Sequence, residues 1–144
     1  DQYWSTSPVA GSVAQYIWVE DGLEEVLNEI SSEKLILGVP FYTRLWKTEN
    51  IDGVSSTTSS TLTMENVEKF IEEKGIELVW DESSGQYVAE YIDGNNTYKI
   101  WVEDSRSIQM KTSLVNKYEL AGVASWRKGF EKNEIWEVIN SNLN

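Results

Sequence analysis

The sequence of 144 residues contains no histidine and no cysteine. Without these residues, Ser-His-Asp and Cys-His catalysis is excluded, and the usual ligand sets for zinc and iron cannot be assembled. No disulfide framework can form either. Any acid–base chemistry therefore depends on carboxylates, tyrosine or lysine, and we expect neither a metal nor another cofactor.

Positive charge is also scarce. The 12 Lys and Arg residues stand against 24 Asp and Glu residues, which gives a formal net charge of -12. Proteins that bind nucleic acids need clustered Lys and Arg for phosphate contacts, and no basic stripe is present here, so we expect no nucleic-acid partner. The longest apolar runs, such as residues 35–37, are far too short to cross a bilayer, so we expect no membrane partner.

Two apolar runs predict buried strands in a chain whose composition is typical of a globular domain. Residues 34–41 (KLILGVPF) form a nearly continuous apolar run of strand length, which is typical of a parallel strand buried on both faces. Pro40 should end this strand, because proline cannot donate to the ladder. Residues 120–126 (LAGVASW) form a second short run of the same kind.

Helical patterns flank these strands. The spacing of apolar residues predicts helices over residues 22–30, 105–118 and 134–143, and Asp104 is placed to cap the second. Residues 1–21 are expected to form a loop. The order of elements is typical of an α/β repeat. Two or three parallel strands cannot close a barrel, so we expect an incomplete one.

The middle of the chain interrupts this repeat. Residues 47–60 are polar and rich in Ser and Thr, which predicts a surface excursion. Thr63 is a plausible N-cap for a helix over residues 64–74, and Gly75 suits its C-terminal end. Three short strands with hairpin turns are predicted at residues 77–80, 86–92 and 97–102. We therefore predict three parts: α/β segments at 1–47 and 104–144, and an α+β unit with an antiparallel sheet at 48–103.

The candidate ligand-binding residues follow the two buried strands. In α/β barrels, residues that contact ligands lie at the C-terminal ends of strands. Tyr42 and Arg44 follow the first strand here, and Trp126 ends the second. Aromatic rings beside charged groups suit a sugar. The alternative is that Tyr42 and Trp126 belong to the core, since large aromatics are usually buried. Arg44 after a buried strand needs a carboxylate or a ligand as its partner.

Two pairs of adjacent carboxylates are weaker candidates. Asp81-Glu82 and Glu103-Asp104 could perform acid–base chemistry or bind a cation, but turn and cap roles are favoured, because Asp suits both. Trp80 and Trp101 could face a cleft, although packing within the small sheet is the favoured role.

Several segments, which together span nearly the whole chain, carry a resemblance to one family. They are residues 1–4 (DQYW), 7–11 (SPVAG), 34–46 (KLILGVPFYTRLW), 80–82 (WDE), 100–111 (IWVEDSRSIQMK) and 120–129 (LAGVASWRKG). In this order they resemble the C-terminal portion of family 18 glycoside hydrolases, the chitinase-like (β/α)8 barrels, and in particular the bacterial branch that acts on cell walls and spore cortex. The resemblance implies an α/β fold that comprises barrel strands six to eight.

The resemblance assigns each part of the chain a place in that barrel. Asp1 is similar to the aspartate that closes a Met-x-Tyr-Asp motif on the sixth strand. Residues 34–41 then correspond to the seventh strand and residues 120–126 to the eighth. Residues 48–103 correspond to the α+β insertion domain, which forms one wall of the cleft in this family.

The resemblance also implies roles for four residues in sugar binding. Trp126 corresponds to the tryptophan that forms the floor of the subsite where the cleaved sugar lies. Tyr42 and Arg44 match the Pro-x-Tyr-Gly-Arg motif that lines the site, although Thr43 replaces the glycine here. Asp1 is expected to bind the same sugar.

The family cleaves β-1,4 bonds next to N-acetylglucosamine with retention. The acetamido oxygen of the substrate attacks the anomeric carbon while an enzyme glutamate protonates the leaving oxygen. That glutamate belongs to an Asp-x-x-Asp-x-Asp-x-Glu motif on the fourth strand, and this chain contains no such motif. We therefore expect the general acid to lie upstream, no catalytic residue in this chain, and no turnover by the chain alone.

Three functions remain open from the sequence. The first is part of a hydrolase of chitin or peptidoglycan, which the family implies to be secreted or associated with the envelope or spore of a bacterium. The second is a non-catalytic domain that binds carbohydrate, and the third is an interaction domain whose aromatics all lie in the core. An open barrel edge could also lead two copies to associate.

Overall fold

The computed structural model describes residues 1–143, which form two β-sheets and the helices packed against them. The α-helices are α1 (Tyr16–Leu27), α2 (Met64–Lys74), α3 (Ser105–Lys117) and α4 (Glu134–Leu143). The strands are β1 (Ile36–Pro40), β2 (Tyr42–Ile51), β3 (Val54–Thr63), β4 (Val79–Asp81), β5 (Gln86–Asp93), β6 (Asn96–Val102) and β7 (Gly122–Trp126).

The first sheet consists of β1 and β7, which pair in parallel from Ile36 opposite Gly122 to Pro40 opposite Trp126. The two apolar runs of the sequence therefore form neighbouring parallel strands, and β1 ends at Pro40, as predicted. Helices α1, α3 and α4 supply apolar side chains to a core on one side of this sheet. Its members include Val19, Leu37, Val39, Phe41, Ile108, Leu114 and Ile135.

Within residues 1–143, β1 is buried on one face only, so the prediction that it is buried on both faces is wrong. Leu37 and Val39 are buried, but Ile36 is 64% exposed and Gly38 is exposed too. The cause is that the helices cover only one face of the strand. The other face is turned towards an open concavity, where the site described below lies.

The second sheet is antiparallel and has five strands in the order β3-β2-β6-β5-β4. Helix α2 packs against one of its faces, where Val67 meets Ala89, Ile100 and Val102. Residues 47–60 lie at the surface, as predicted, but they are not a loop, because this segment forms most of the β2–β3 hairpin. Its turn residues, Asp52 and Gly53, both have positive φ angles, 51° and 79°, which suit a tight hairpin turn. The segment is polar because β3 is an exposed edge strand.

Helix α1 begins at Tyr16, so the prediction of a loop throughout residues 1–21 is wrong. The helix also ends at Leu27, earlier than predicted. No side chain caps its start; instead the backbone N–H of Tyr16 donates to the carbonyl of Ser84 at 2.8 Å. One N–H of the first turn is therefore satisfied by a residue far away in sequence, and no local capping signal marks the start of the helix.

The caps of α2 and α3 are as predicted. Thr63 accepts a hydrogen bond from the backbone N–H of Asn66, and Gly75 ends α2 with a φ of 60°. Asp104 and Ser107 form a reciprocal capping box at the start of α3. Within residues 1–143, none of the helices has the length and apolar character needed to cross a membrane.

Candidate functional site

An open concavity of about 1060 Å³ lies beside the exposed face of β1. Asp1, Tyr42 and Trp126 lie at it, together with the ends of β1 and β7. Its remaining walls are mainly apolar and are formed by α1 and β1, with residues that include Trp18, Leu23, Val26 and Ile36. The concavity thus combines an apolar wall with a polar cluster at the C-terminal ends of the parallel strands.

The polar cluster consists of Asp1, Tyr42 and Arg44. Tyr42 and Arg44 are two residues apart on β2, so their side chains leave the strand on the same face. Arg44 Nη2 lies 2.7 Å from Asp1 Oδ2, and the hydroxyl of Tyr42 donates to Asp1 Oδ1. Both oxygens of the Asp1 carboxylate are therefore held by the first residues of β2. This also supplies the carboxylate partner that the position of Arg44 led us to expect.

The surroundings of the cluster set its charge. The Arg44 side chain is only 11% exposed and that of Asp1 only 23%. Burial raises the pKa of Tyr42; the positive charge of Arg44 opposes this effect, while the negative charge of Glu103 adds to it. Tyr42 therefore keeps its proton at neutral pH and acts as a hydrogen-bond donor. Arg44 Nε is buried and has no hydrogen-bond acceptor among residues 1–143.

Trp126 lies at the end of β7 and is 69% exposed. The alternative that places Trp126 in the core is therefore wrong. Tyr42, for which the same alternative was open, is partly buried. The carbonyl of Trp126 accepts a hydrogen bond from the N–H of Phe41 at 2.7 Å, which ties the two strand ends together. Trp126 and Tyr42 consequently line the same concavity, while Asp1, Tyr42 and Arg44 are in direct contact.

A buried polar network beside β2 was missed by the sequence analysis. Glu103 forms an ion pair with Lys111, and both side chains are buried. Gln86 Nε2 donates to Glu103 Oε1 at 2.9 Å, and Ser107 Oγ donates to Glu103 Oε2 at 2.8 Å. Ser12 in turn donates to the side chain of Gln86. This network joins the N-terminal segment, β5, the end of β6 and α3.

One signal in the sequence could have revealed this network. Lys111 lies on the apolar stripe of α3, between Ile108 and Leu114. A lysine in such a position needs a buried acidic partner, because burial of an unpaired charge is costly. Burial also raises the pKa of Glu103, while the charge and hydrogen bond of Lys111 lower it. Glu103 is therefore neither a turn residue nor a cap, unlike its neighbour Asp104.

The other candidates have structural roles. The carboxylate of Asp81 accepts hydrogen bonds from the backbone N–H groups of Ser83 and Ser84 and from the hydroxyl of Ser83, and its carbonyl accepts one from the hydroxyl of Ser84, as the turn interpretation predicts. Hydrogen bonds, above all from the hydroxyl of Ser84, lower its pKa. Trp80 packs against Tyr87 and beneath the guanidinium of Arg106, with 3.5 Å between the Arg106 Cζ and the ring centroid. The described residues contain no group of three acidic side chains that could hold a metal ion.

The chain is similar to known proteins both in sequence and in structure. The chain is 27% identical over 130 residues to the uncharacterized glycosylase YvbX of Bacillus subtilis, a match that covers 90% of this chain and 36% of that protein. The structure matches a chitinase from Chromobacterium violaceum with a TM-score of 0.87 and 24% identity, over 99% of this chain and 43% of the chitinase. It also matches the spore cortex-lytic enzyme SleL of Bacillus megaterium with a TM-score of 0.81 and 27% identity, over 97% of this chain and 32% of the enzyme.

These matches cover nearly all of the chain but less than half of each similar protein. The family model described as glycosyl hydrolases family 18 matches residues 3–130, which include β1, β7 and the five-stranded sheet between them. The chain therefore belongs to glycosyl hydrolases family 18.

Proposed function

We propose that this chain supplies part of the sugar-binding cleft of a hydrolase that cleaves β-1,4 bonds in glycans containing N-acetylglucosamine, such as chitin or peptidoglycan. Trp126 forms the floor beneath the sugar ring, and Asp1, Tyr42 and Arg44 bind its polar groups. The observation that carries the proposal is the contact of Asp1 with both Tyr42 and Arg44 at the concavity that Trp126 also lines.

The chemistry of these side chains suits a sugar. An exposed indole offers an apolar face to the C–H groups of a pyranose ring. A carboxylate held by a guanidinium and a phenol presents fixed donors and acceptors to hydroxyl or amide groups, and charge-assisted hydrogen bonds are the stronger kind.

The reaction proposed for the whole enzyme is substrate-assisted hydrolysis with retention. The acetamido oxygen of the bound sugar attacks its anomeric carbon, the glycosidic bond breaks, and a glutamic acid gives its proton to the leaving oxygen. Water then opens the cyclic intermediate and restores the acetamido group. We assign that glutamate to a segment upstream of Asp1, so this chain binds and orients the sugar but does not turn it over alone.

The barrel assignment belongs to the same proposal. Asp1 follows the sixth strand, β1 is the seventh and β7 is the eighth, with residues 1–47 and 104–144 as barrel segments. Residues 48–103 form the α+β insertion domain. The parallel pairing of β1 with β7 and the match to a chitinase with a TM-score of 0.87 support this assignment. The similarity to a spore cortex-lytic enzyme supports a location outside the bacterial cytoplasm, at the envelope or spore.

The test compares this chain with a version extended upstream through the segment that bears the acid motif. Both are given a fluorogenic N-acetylglucosamine oligomer, and binding of the unlabelled oligomer is followed by tryptophan fluorescence. Hydrolysis by the extended version alone, with binding by both, supports the proposal. A well-folded extended version that binds the oligomer without cleaving it supports the second candidate function, a carbohydrate-binding domain. The exposed indole of Trp126 at the concavity supports that second candidate equally, because binding of a sugar needs no acid motif.

A further inference from the structure

The side chain between Tyr42 and Arg44 lies on the opposite face of β2. Thr43 is 1% exposed, and its Oγ1 accepts a hydrogen bond from the backbone N–H of Glu103 at 2.9 Å. Successive side chains of a strand point to opposite faces. Tyr42 and Arg44, which hold Asp1, therefore lie on one face of this short length of β2, and the buried hydroxyl of Thr43 lies on the other.

This length of β2 has one edge without a ladder partner. The ladder between β2 and β6 covers only residues 46–49 of β2, from Trp46 opposite Lys99 to Glu49 opposite Asn96. Residues 42–45, which precede it, are therefore paired only with β3, on their other edge. The hydrogen bond from Glu103 to Thr43 spans the gap between the diverging strands. A side-chain hydroxyl thus supplies a contact to the β6 side where the ladder is absent.

The donor of this bond is itself held firmly in place. The carboxylate of Glu103 is bound by Lys111, Gln86 and Ser107 inside the buried network. Buried polar groups whose partners are all satisfied fix a local arrangement, because each alternative leaves a group unpaired. The backbone of Glu103 is therefore a rigid point to which the start of β2 can be fixed.

We propose that Thr43 is a positioning residue, whose buried hydroxyl fixes the start of β2 so that Tyr42 and Arg44 hold the Asp1 carboxylate. The effect on sugar affinity rests on the proposed function, whereas the effect on Tyr42 does not. The motif that this segment resembles has glycine here, and glycine has no hydroxyl to accept the bond. The anchor is thus a property of this chain's own sequence rather than of the motif.

The test uses the variants Thr43→Val, which removes the acceptor at nearly constant volume, and Thr43→Ser, which keeps it. Thr48→Val is the matched control, since Thr48 lies farther along the same strand and pairs its hydroxyl with that of Thr57. The first measurement is the Cζ resonance of Tyr42 in protein with ¹³C-labelled tyrosine, assigned with Tyr42→Phe. The second is the dissociation constant of an N-acetylglucosamine oligomer, obtained by calorimetry.

We expect Thr43→Val to shift the Tyr42 resonance and to weaken oligomer binding by about three- to tenfold, the usual net effect of one hydrogen bond. Thr43→Ser and Thr48→Val should match the wild type in both measurements. A merely structural role would lower the melting temperature of Thr43→Val but leave the Tyr42 resonance of the folded protein in place, and that result overturns the proposal. If the wild type binds no oligomer, the proposed function fails, while the Tyr42 resonance still decides whether Thr43 positions it.

A third measurement covers the case in which Thr43→Val does not fold. Amide hydrogen exchange in the wild type and in Thr43→Ser reports directly on the donor, the N–H of Glu103. Protection of this amide to the level of the β-sheet core supports the bond to Thr43. Exchange as fast as that of an unstructured amide overturns it.

Discussion

Arg44 Nη2 lies 2.7 Å from Asp1 Oδ2, although the two residues are 43 positions apart. The arginine comes from the first residues of an antiparallel sheet. The aspartate belongs to an N-terminal segment that contacts three strands of that sheet, at Ser59, Trp46 and Gln86. Their contact places a largely buried charge pair at the concavity beside the two parallel strands. Partly buried pairs of this kind are screened less by salt than surface pairs, so they are suited to present fixed polar groups to a ligand.

The first prediction concerns Arg44. The variant Arg44→Met should weaken binding of an N-acetylglucosamine oligomer by about tenfold or more, because it removes a charged donor and leaves Asp1 Oδ2 without its partner. Calorimetric titration measures this. Lys47→Met is the control, since Lys47 lies on the same strand in a half-exposed pair with Glu49, away from the cluster. Equal affinities of the two variants would contradict the role of Arg44.

The second prediction concerns the exposed indole of Trp126. Trp126→Ala should change the free energy of unfolding by less than about 0.5 kcal/mol, because the side chain is 69% exposed. Its affinity for the oligomer should fall by about tenfold, as expected for loss of an aromatic platform. Trp4→Ala removes another exposed tryptophan, one that does not line the concavity, and should bind like the wild type. Fluorescence titration and urea denaturation provide both quantities.

The third prediction concerns the N-terminal segment, which contacts the five-stranded sheet. A Cβ at Gly11 overlaps the ring of Tyr3, and the carbonyl of Gly11 accepts a hydrogen bond from the buried Trp46 Nε1 at 2.8 Å. Gly11→Ala should therefore destabilise the fold by about 1–3 kcal/mol. Gly22→Ala, in helix α1 with open space around its Cβ, should stabilise it by about 0.5–1 kcal/mol. Urea denaturation distinguishes the two, and the added substitution Tyr3→Ala should restore part of the loss at Gly11.

The elements that the sequence predicted well are those whose signals are local. The caps Thr63 and Asp104 each bind a backbone N–H within three residues, so their hydrogen bonds can be inferred from spacing alone. The β2–β3 hairpin had a local signal as well, Asp52-Gly53, but its Ser and Thr content suggested a loop. Polar strands at a sheet edge satisfy their backbone by pairing and need no apolar face.

The features that the sequence did not predict depend on contacts between distant residues. The start of α1 is satisfied by the carbonyl of Ser84, and the carboxylate of Glu103 meets Gln86 and Lys111 only after the sheet has formed. At the site, the sequence predicted that Tyr42, Arg44 and Trp126 lie at strand ends, because they follow or end the two apolar runs. That Asp1 is the carboxylate held by Tyr42 and Arg44 follows only from the tertiary structure.

The fourth prediction concerns the buried ion pair between Lys111 and Glu103. Lys111→Met should destabilise the fold by about 3–5 kcal/mol, because it leaves the Glu103 carboxylate buried without its counter-charge. The double variant Glu103→Gln/Lys111→Met should recover most of this loss, since glutamine retains hydrogen-bonding groups without a charge. Lys69→Met breaks an exposed pair with Glu65 and should have little effect. Urea denaturation of the four proteins, wild type included, measures the differences, and a double variant no more stable than Lys111→Met would contradict the charge argument.

The last prediction concerns Glu20, which joins helix α1 to helix α3. Its carboxylate accepts hydrogen bonds from Lys117 Nζ at 2.5 Å and from the hydroxyl of Tyr118 at 3.1 Å. These bonds, above all that of Lys117, hold the pKa of Glu20 below its ordinary value of 4.5. A carboxyl group whose pKa is lower in the folded state stabilises the fold above the unfolded pKa, and this contribution is lost as the pH falls through the folded pKa.

The free energy of unfolding of the wild type should therefore exceed that of Glu20→Gln by a constant amount at neutral pH, and the difference should shrink below pH 4.5. Urea denaturation of both proteins at successive pH values gives this difference directly, because effects common to both cancel. In a Lys117→Met background the same comparison should show a weaker dependence on pH, since the main cause of the lowered pKa is gone. A difference that grows on acidification would show that Glu20 is destabilised, rather than stabilised, by its neighbours in the folded state.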